Sequence, residues 1–164
     1  MSLLFSFLRR LGLSAARCKA LPMTFPAPEE ILPHRPPFLF LDEILELTPC
    51  EFGKASWTLS GDEFWFPGHF PGRPTLPGVL MCEAIAQMGA YTVLSDPERY
   101  VGKLPLFGGL DKARFRKQVG PGDTVHVEST IHKLSARAGK GTGRVLLNGE
   151  VACSADIMFV VVDG

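Results

Sequence analysis

Residues 68–87 read GHFPGRPTLPGVLMCEAIAQ, and the apolar character of the second half runs on to Ser95. Pro77 suits a first helical turn, where a missing N–H leaves no intrahelical acceptor unserved. Beyond it, Val79, Leu80, Met81, Cys82, Ala84, Ile85, Ala86, Met88, Ala90, Tyr91, Val93 and Leu94 leave little polar face. A helix apolar on all sides is buried on all sides. The pattern predicts a buried helix over residues 77–95, roughly 28 Å long, around which the rest of the chain must fold. Its polar exceptions before the far end are Glu83 and Gln87. They stand one turn apart, so they share a face and can hydrogen-bond.

The flanking sequence supplies the strands. Pro36 and Pro37 forbid a helix upstream, and residues 38–47 read as a mostly buried strand. Residues 48–53 read as a turn and 54–60 as a second strand. Phe64, Trp65 and Phe66 then lead into the glycine-proline loop. After the helix the period changes to about two. Residues 111–119 place Lys112, Arg114 and Arg116 on one face and Ala113 and Phe115 on the other. Residues 124–134 alternate through Val125, Val127 and Ile131. AGKGTG, residues 138–143, reads as a flexible connection. Asn148-Gly149 is the preferred pair of a type I′ turn, which predicts a hairpin joining 144–147 to the strand from Glu150. Residues 157–162 close the chain as an apolar run. The whole reads as α+β, an antiparallel sheet curled round a central helix.

Composition narrows the classes. With 164 residues, 46% of them hydrophobic, the chain has enough apolar mass for one domain with a real core. Lysine plus arginine equals aspartate plus glutamate at 17 each, so no global field favours nucleic acid or an anionic membrane. No apolar run reaches the ~18 residues of a membrane span. Cys18, Cys50, Cys82 and Cys153 form no CxxC pair, which points to free thiols in a reducing compartment. Residues 1–22 carry Arg9, Arg10, Arg17 and Lys19, and no acid precedes Glu29. That suits an organelle transit peptide, or an extended start ahead of a working domain at 23–164. The expected location is the cytoplasm, or a mitochondrion or plastid on the transit-peptide reading.

Three residues of the opening stretch carry the chemistry. His69 lies between glycines and prolines that fix its backbone, so its imidazole is aimed; the plainer reading is a loop histidine held by a carbonyl. Glu83 is a carboxylate inside an apolar helix. Desolvation raises such a group's pKa and fits it for general-acid work at neutral pH. The plainer reading is a structural carboxyl satisfied by Gln87 and a neighbouring histidine or arginine. Gly78 stands at the helix start, where unpaired N–H groups can polarise a carbonyl and stabilise an enolate oxygen; alternatively, glycine there only permits close packing. His34, His126 and His132 show no HExxH or CxxC context for a metal. GxGxxG, P-loop and GxSxG signatures are absent. The Lys112, Arg114 and Arg116 stripe is either a solvated strand face or a docking patch for an acidic partner.

LPHRPPFLFLDEI, GHFPGRPTLPGVLMCEAIAQMG and DKARFRKQVGPGDTV together resemble the β-hydroxyacyl-acyl-carrier-protein dehydratases of fatty acid synthesis, of the FabZ type. The similarity covers about residues 28–162. It implies a hot-dog fold, a curved antiparallel sheet wrapped around one long helix. It implies His69 and Glu83 as the catalytic pair, Gly78 as the carbonyl-polarising amide, and no metal or organic cofactor. Phe70 and Gln87 would support the pair, and Lys112, Arg114 and Arg116 would meet the acyl carrier protein with its acyl-phosphopantetheine. The resemblance further implies a homodimer, extendable to a trimer of dimers, with each site combining His69 of one chain and Glu83 of the other. Pro36 departs from a tyrosine common in the family. Rival readings are a hot-dog acyl-thioesterase, a CoA-level enoyl hydratase and a non-catalytic acyl-carrier-binding module. Retention of both His69 and Glu83 counts against the last.

Overall fold

The apolar run forms the expected helix. The computed structural model describes residues 24–164, so the basic extension 1–22 lies outside the described residues. A short helix, α1 (Pro28–Ile31), precedes the long one, α2 (Gly78–Leu94), which has Pro77 and Ser95 as its caps. The strands are β1 (Glu43–Thr48), β2 (Phe52–Thr58), β3 (Lys103–Phe115), β4 (Thr124–Leu134), β5 (Ala138–Leu147) and β6 (Glu150–Asp163). They form a single antiparallel sheet in the order β1-β2-β4-β5-β6-β3. α2 packs against every strand from β2 to β6, so the sheet curls around it in the hot-dog arrangement. No helix among the described residues is long and apolar enough to cross a membrane.

Burial of α2 accounts for the core. Ala84, Ile85, Met88 and Tyr91 pack with Ala55, Val125, Val127, Val145 and Cys153 in one cluster. The Tyr91 hydroxyl, its pKa pushed up to about 12 mainly by burial, donates to the Pro26 carbonyl and anchors the segment before α1. Burial is not complete all round, however. Val79 is 66% exposed, and Glu83 and Ala86, which follow it up the same side, are half-buried. That stripe is where the helix meets an opening. Cys82 and Cys153 are buried as free thiols, their Sγ atoms 3.9 Å apart.

Several element boundaries differ from the expectations. Residues 38–42 are not strand. The Phe40 N–H and the Phe38 carbonyl bond to the Gln87 side chain, which takes the groups a ladder would have used. β1 therefore starts at Glu43 and is mostly exposed, with Ile44 its buried residue. β2 runs two residues earlier than the expected 54–60 and buries Gly53, Ala55 and Trp57.

Residues 138–143 are not a flexible connection but the first half of β5. A Cβ on Gly139 would run into the Phe159 ring, one on Gly141 into the Thr130 carbonyl, and one on Gly143 into Ile85. These glycines are there for close approach. The Asn148-Gly149 hairpin is as read, with φ of 52° and 81°.

β3 begins at Lys103 rather than at residue 111 and ends at Phe115. Its register shifts between Phe107 and Gly109 and between Asp111 and Arg114, and Lys112 has φ of 49°. The bulge resets the alternation expected across the basic stripe.

Candidate active site

Residues 69–75 close on themselves. The Thr75 N–H bonds to the His69 carbonyl at 2.7 Å, and Phe70 and Arg73 exchange backbone bonds at 3.2 and 2.9 Å. Gly72, at φ 74°, makes the turn. The His69 Nδ1 lies 2.7 Å from the Thr75 carbonyl oxygen. A carbonyl only accepts, so Nδ1 carries the proton, and Nε2 of the neutral ring presents a lone pair. Phe70 stacks on the imidazole with ring centroids 4.0 Å apart. The loop histidine is thus held by a carbonyl, and that bond fixes the orientation of its ring.

Gly78 is the first residue of α2, and its N–H takes no part in the turn, loop and capping bonds recorded among the described residues. A Cβ there would sit 2.8 Å from the Phe115 ring. Close packing and a free amide thus coexist at this position.

Glu83 projects from the less buried stripe of α2, its side chain 20% exposed. It is therefore half-sheltered rather than enclosed as the apolar helix suggested. Gln87, 1% exposed, donates from Nε2 to Glu83 Oε1 at 3.0 Å and to the Phe38 carbonyl at 3.2 Å. Its Oε1 accepts the Phe40 N–H at 2.9 Å, which fixes the amide's orientation. Glu83 and Gln87 open on a small cleft of about 50 Å³ whose walls include Ala86, Ala90, Pro105, Phe107, Ile157 and Phe159.

His34 also lines that cleft, its Nε2 3.6 Å from Glu83 Oε1. Burial pulls the His34 pKa below its ordinary value, against an upward pull from Glu83 and with a downward push from Arg35. Reading the sequence did not single out His34. The available signal was its place in the LPHRPPF stretch. Within the chain His69 makes no hydrogen bond or ion pair with Glu83: its polar partner is Thr75, and it does not line the cleft.

Lys112, Arg114 and Arg116 do line one shallow depression, together with Ser154 and Asp156. Their charges are not equally free. Lys112 pairs with Asp156 at 2.8 Å, whereas Arg116 donates to the Ser154 hydroxyl and Arg114 to the Ala113 carbonyl. A larger depression of about 610 Å³ adjoins the first, sharing Arg116 and Ser154 and extending to Phe52, Glu128 and Arg144. There Arg144 and Lys54 both pair with Glu128. It contains none of His34, His69 and Glu83.

A family model described as a FabA-like domain matches residues 32–156. The 3-hydroxyacyl-[acyl-carrier-protein] dehydratase FabZ of Moorella thermoacetica is 48% identical over 139 residues, covering 85% of this chain and 96% of the relative. The protein of the same name from Enterococcus faecalis is 48% identical over 133 residues, covering 81% and 94%. Among solved structures, the dehydratase heterocomplex ApeI:P from Xenorhabdus doucetiae contains a chain matching with a TM-score of 0.72 at 18% identity, over 85% of this chain and 93% of that one. That last likeness is one of fold.

Proposed function

The chain belongs to the FabA-like family, with FabZ dehydratases among its relatives, and from that premise we propose that it dehydrates (3R)-3-hydroxyacyl thioesters on acyl carrier protein to trans-2-enoyl thioesters. It is a hydro-lyase of fatty acid biosynthesis. The substrate's α-proton is weakly acidic and its β-hydroxyl a poor leaving group, so the reaction needs a base, an acid and a polarised carbonyl. His69 takes the α-proton on Nε2, the nitrogen that the Thr75 carbonyl leaves bare. Glu83 gives a proton to the departing hydroxyl, which leaves as water. The Gly78 N–H stabilises enolate character on the thioester oxygen. One proton moves from substrate to His69 and one from Glu83 to hydroxyl, and a transfer from His69 back to Glu83 resets the pair. No net oxidation occurs, so the step calls for no oxidant or reductant.

The observation that carries this reading is Glu83 itself, a carboxyl on an otherwise core-packed helix, held by Gln87 at the mouth of an apolar cleft. The separation of His69 from that cleft supports a site shared between two copies, His69 coming from the second. The working unit is then a homodimer, as such or within a trimer of dimers, and the carrier protein approaches over Arg114 and Arg116.

The test is turnover of a (3R)-3-hydroxyacyl-acyl carrier protein, followed by enoyl absorbance. His69→Ala and Glu83→Gln should each lower kcat by about 10²–10⁴-fold. Full activity in either variant overturns the mechanism, and release of free thiol in place of enoyl product overturns the dehydratase reading.

A further inference from the structure

The cleft holds a histidine that the mechanism above does not use. His34 and Gln87 both address Oε1 of Glu83, at 3.6 and 3.0 Å. The other imidazole nitrogen, Nδ1, is buried and has no hydrogen-bond partner. The segment carrying His34 is fixed on both sides. Before it, Leu32 is buried in the core and its carbonyl accepts from Arg35. After it, Phe38 and Phe40 are bonded to Gln87. The ring is thus delivered to Glu83 by the same side chain that holds Glu83.

The direction of the contacts follows from the donors available. Gln87 offers an N–H to Oε1, so Oε1 is the acceptor oxygen and the acid proton of Glu83 belongs on Oε2. With no proton on Oε1, His34 can engage it only as a donor through Nε2–H. The buried Nδ1 is then a bare lone pair, and an unpaired acceptor is tolerated better than an unpaired N–H. Neutral His34, favoured by its burial, has this tautomer available. At 3.6 Å the two atoms stand just beyond hydrogen-bond range, and a contact of this kind can tighten when substrate binds.

We propose that His34 is a positioning residue for Glu83: its Nε2–H and the Gln87 amide together hold Oε1, leaving Oε2 to deliver the proton to the departing hydroxyl. As that proton leaves, negative charge grows on the carboxylate, and two N–H donors stabilise it. The proposal rests on the reading of Glu83 as the acid.

The experiment compares His34→Ala, His34→Asn and His34→Gln in steady-state turnover of the hydroxyacyl carrier substrate. The glutamine amide reaches the position of Nε2, whereas the asparagine amide reaches only that of Nδ1. His34→Ala and His34→Asn should lower kcat by about 10–100-fold, the worth of one hydrogen bond to a charged group, with KM within about twofold. His34→Gln should restore most of the loss. An unchanged kcat in His34→Ala, a loss confined to KM, or asparagine serving as well as glutamine overturns the proposal.

A second readout needs no turnover. In protein labelled with 15N-histidine, Glu83→Ala should move the His34 ring resonances and leave those of His132, bonded to Thr142, in place. Unmoved His34 resonances overturn the contact. A wild-type protein without dehydratase turnover overturns the reading of Glu83 and the positioning role with it. An active wild type indifferent to His34 overturns the positioning role alone.

Discussion

Gln87 shows how one side chain can organise a site. Its amide satisfies the Phe40 N–H, the Phe38 carbonyl and Glu83 at once, from a position that is 1% exposed. Gln87→Leu keeps the volume but strands a backbone donor and a backbone acceptor. Each stranded buried group costs about 1–3 kcal/mol, so the variant should lose about 3 kcal/mol in denaturant unfolding. It should also turn over slowly, because Glu83 loses its N–H donor. His34 gives a prediction of the opposite kind, visible only against pH. Its folded pKa lies below its ordinary value of 6.5, so the folded chain binds fewer protons than the unfolded one and stability rises with pH across the interval between the two. Its contribution is whole above pH ~6.5 and is lost as pH falls through the lower, folded value. Unfolding of His34→Gln at pH values from ~5 to ~7 should therefore show a shallower acid-side decline than wild type. The Glu83–Gln87 bond was legible in the sequence because it is local, one helical turn. The contact with His34 was not, because nothing near either residue marks an approach made by tertiary folding.

Among the elements, α2 and β4 were readable because periodicity and burial agree there. β5 was not, because its glycines send the signal of a loop while serving a sheet. Gly143 faces α2 so closely that any Cβ would enter the Ile85 side chain, and the same Cβ would sit 2.7 Å from the Glu128 carbonyl oxygen. Backbone cannot yield as a flexible side chain can. Gly143→Ala should therefore destabilise by about 1–3 kcal/mol, the usual range for overpacking, measurable as a lower midpoint in chemical denaturation. A flexible connection would accept alanine without loss. The misread strand at residues 38–42 has a related cause. Its apolar sequence is that of a buried strand, but its backbone groups are claimed by a glutamine side chain, which no alternation pattern reports. In β3, the bulge around Lys112 hides the register, yet the three cations still reach one depression. Because Lys112 is committed to Asp156, Arg114 should dominate carrier binding. Arg114→Glu should raise KM for the acyl-carrier substrate by about tenfold at low salt and by less at high salt. The kcat on a short CoA thioester should stay unchanged.

Among the described residues, the longer of the two sheet edges is unpaired and apolar. β3 ends the sheet with 13 residues, and Leu106, Phe107 and Leu110 along it are 47%, 42% and 42% exposed. A long apolar edge strand is a template for pairing. A two-fold axis through such an edge would join two sheets and cover the same residues on both copies. Phe107 is also a wall of the Glu83 cleft, so a partner covering this edge would reach that cleft as well. This is the physical ground for a site whose base and acid come from different chains, and it can be tested without any structure of the dimer. His69→Ala keeps its own Glu83, and Glu83→Gln keeps its own His69. After subunit exchange, a mixed dimer would contain one complete site and one doubly defective site. If assortment is random, an equimolar mixture of the two inactive proteins should recover roughly a quarter of wild-type turnover. Recovery should follow the rate of exchange, monitored by mass spectrometry of differently labelled chains. Demonstrated exchange with no recovery would place His69 and Glu83 of the same chain in one site, and Phe107 would then line a cleft that a single chain completes.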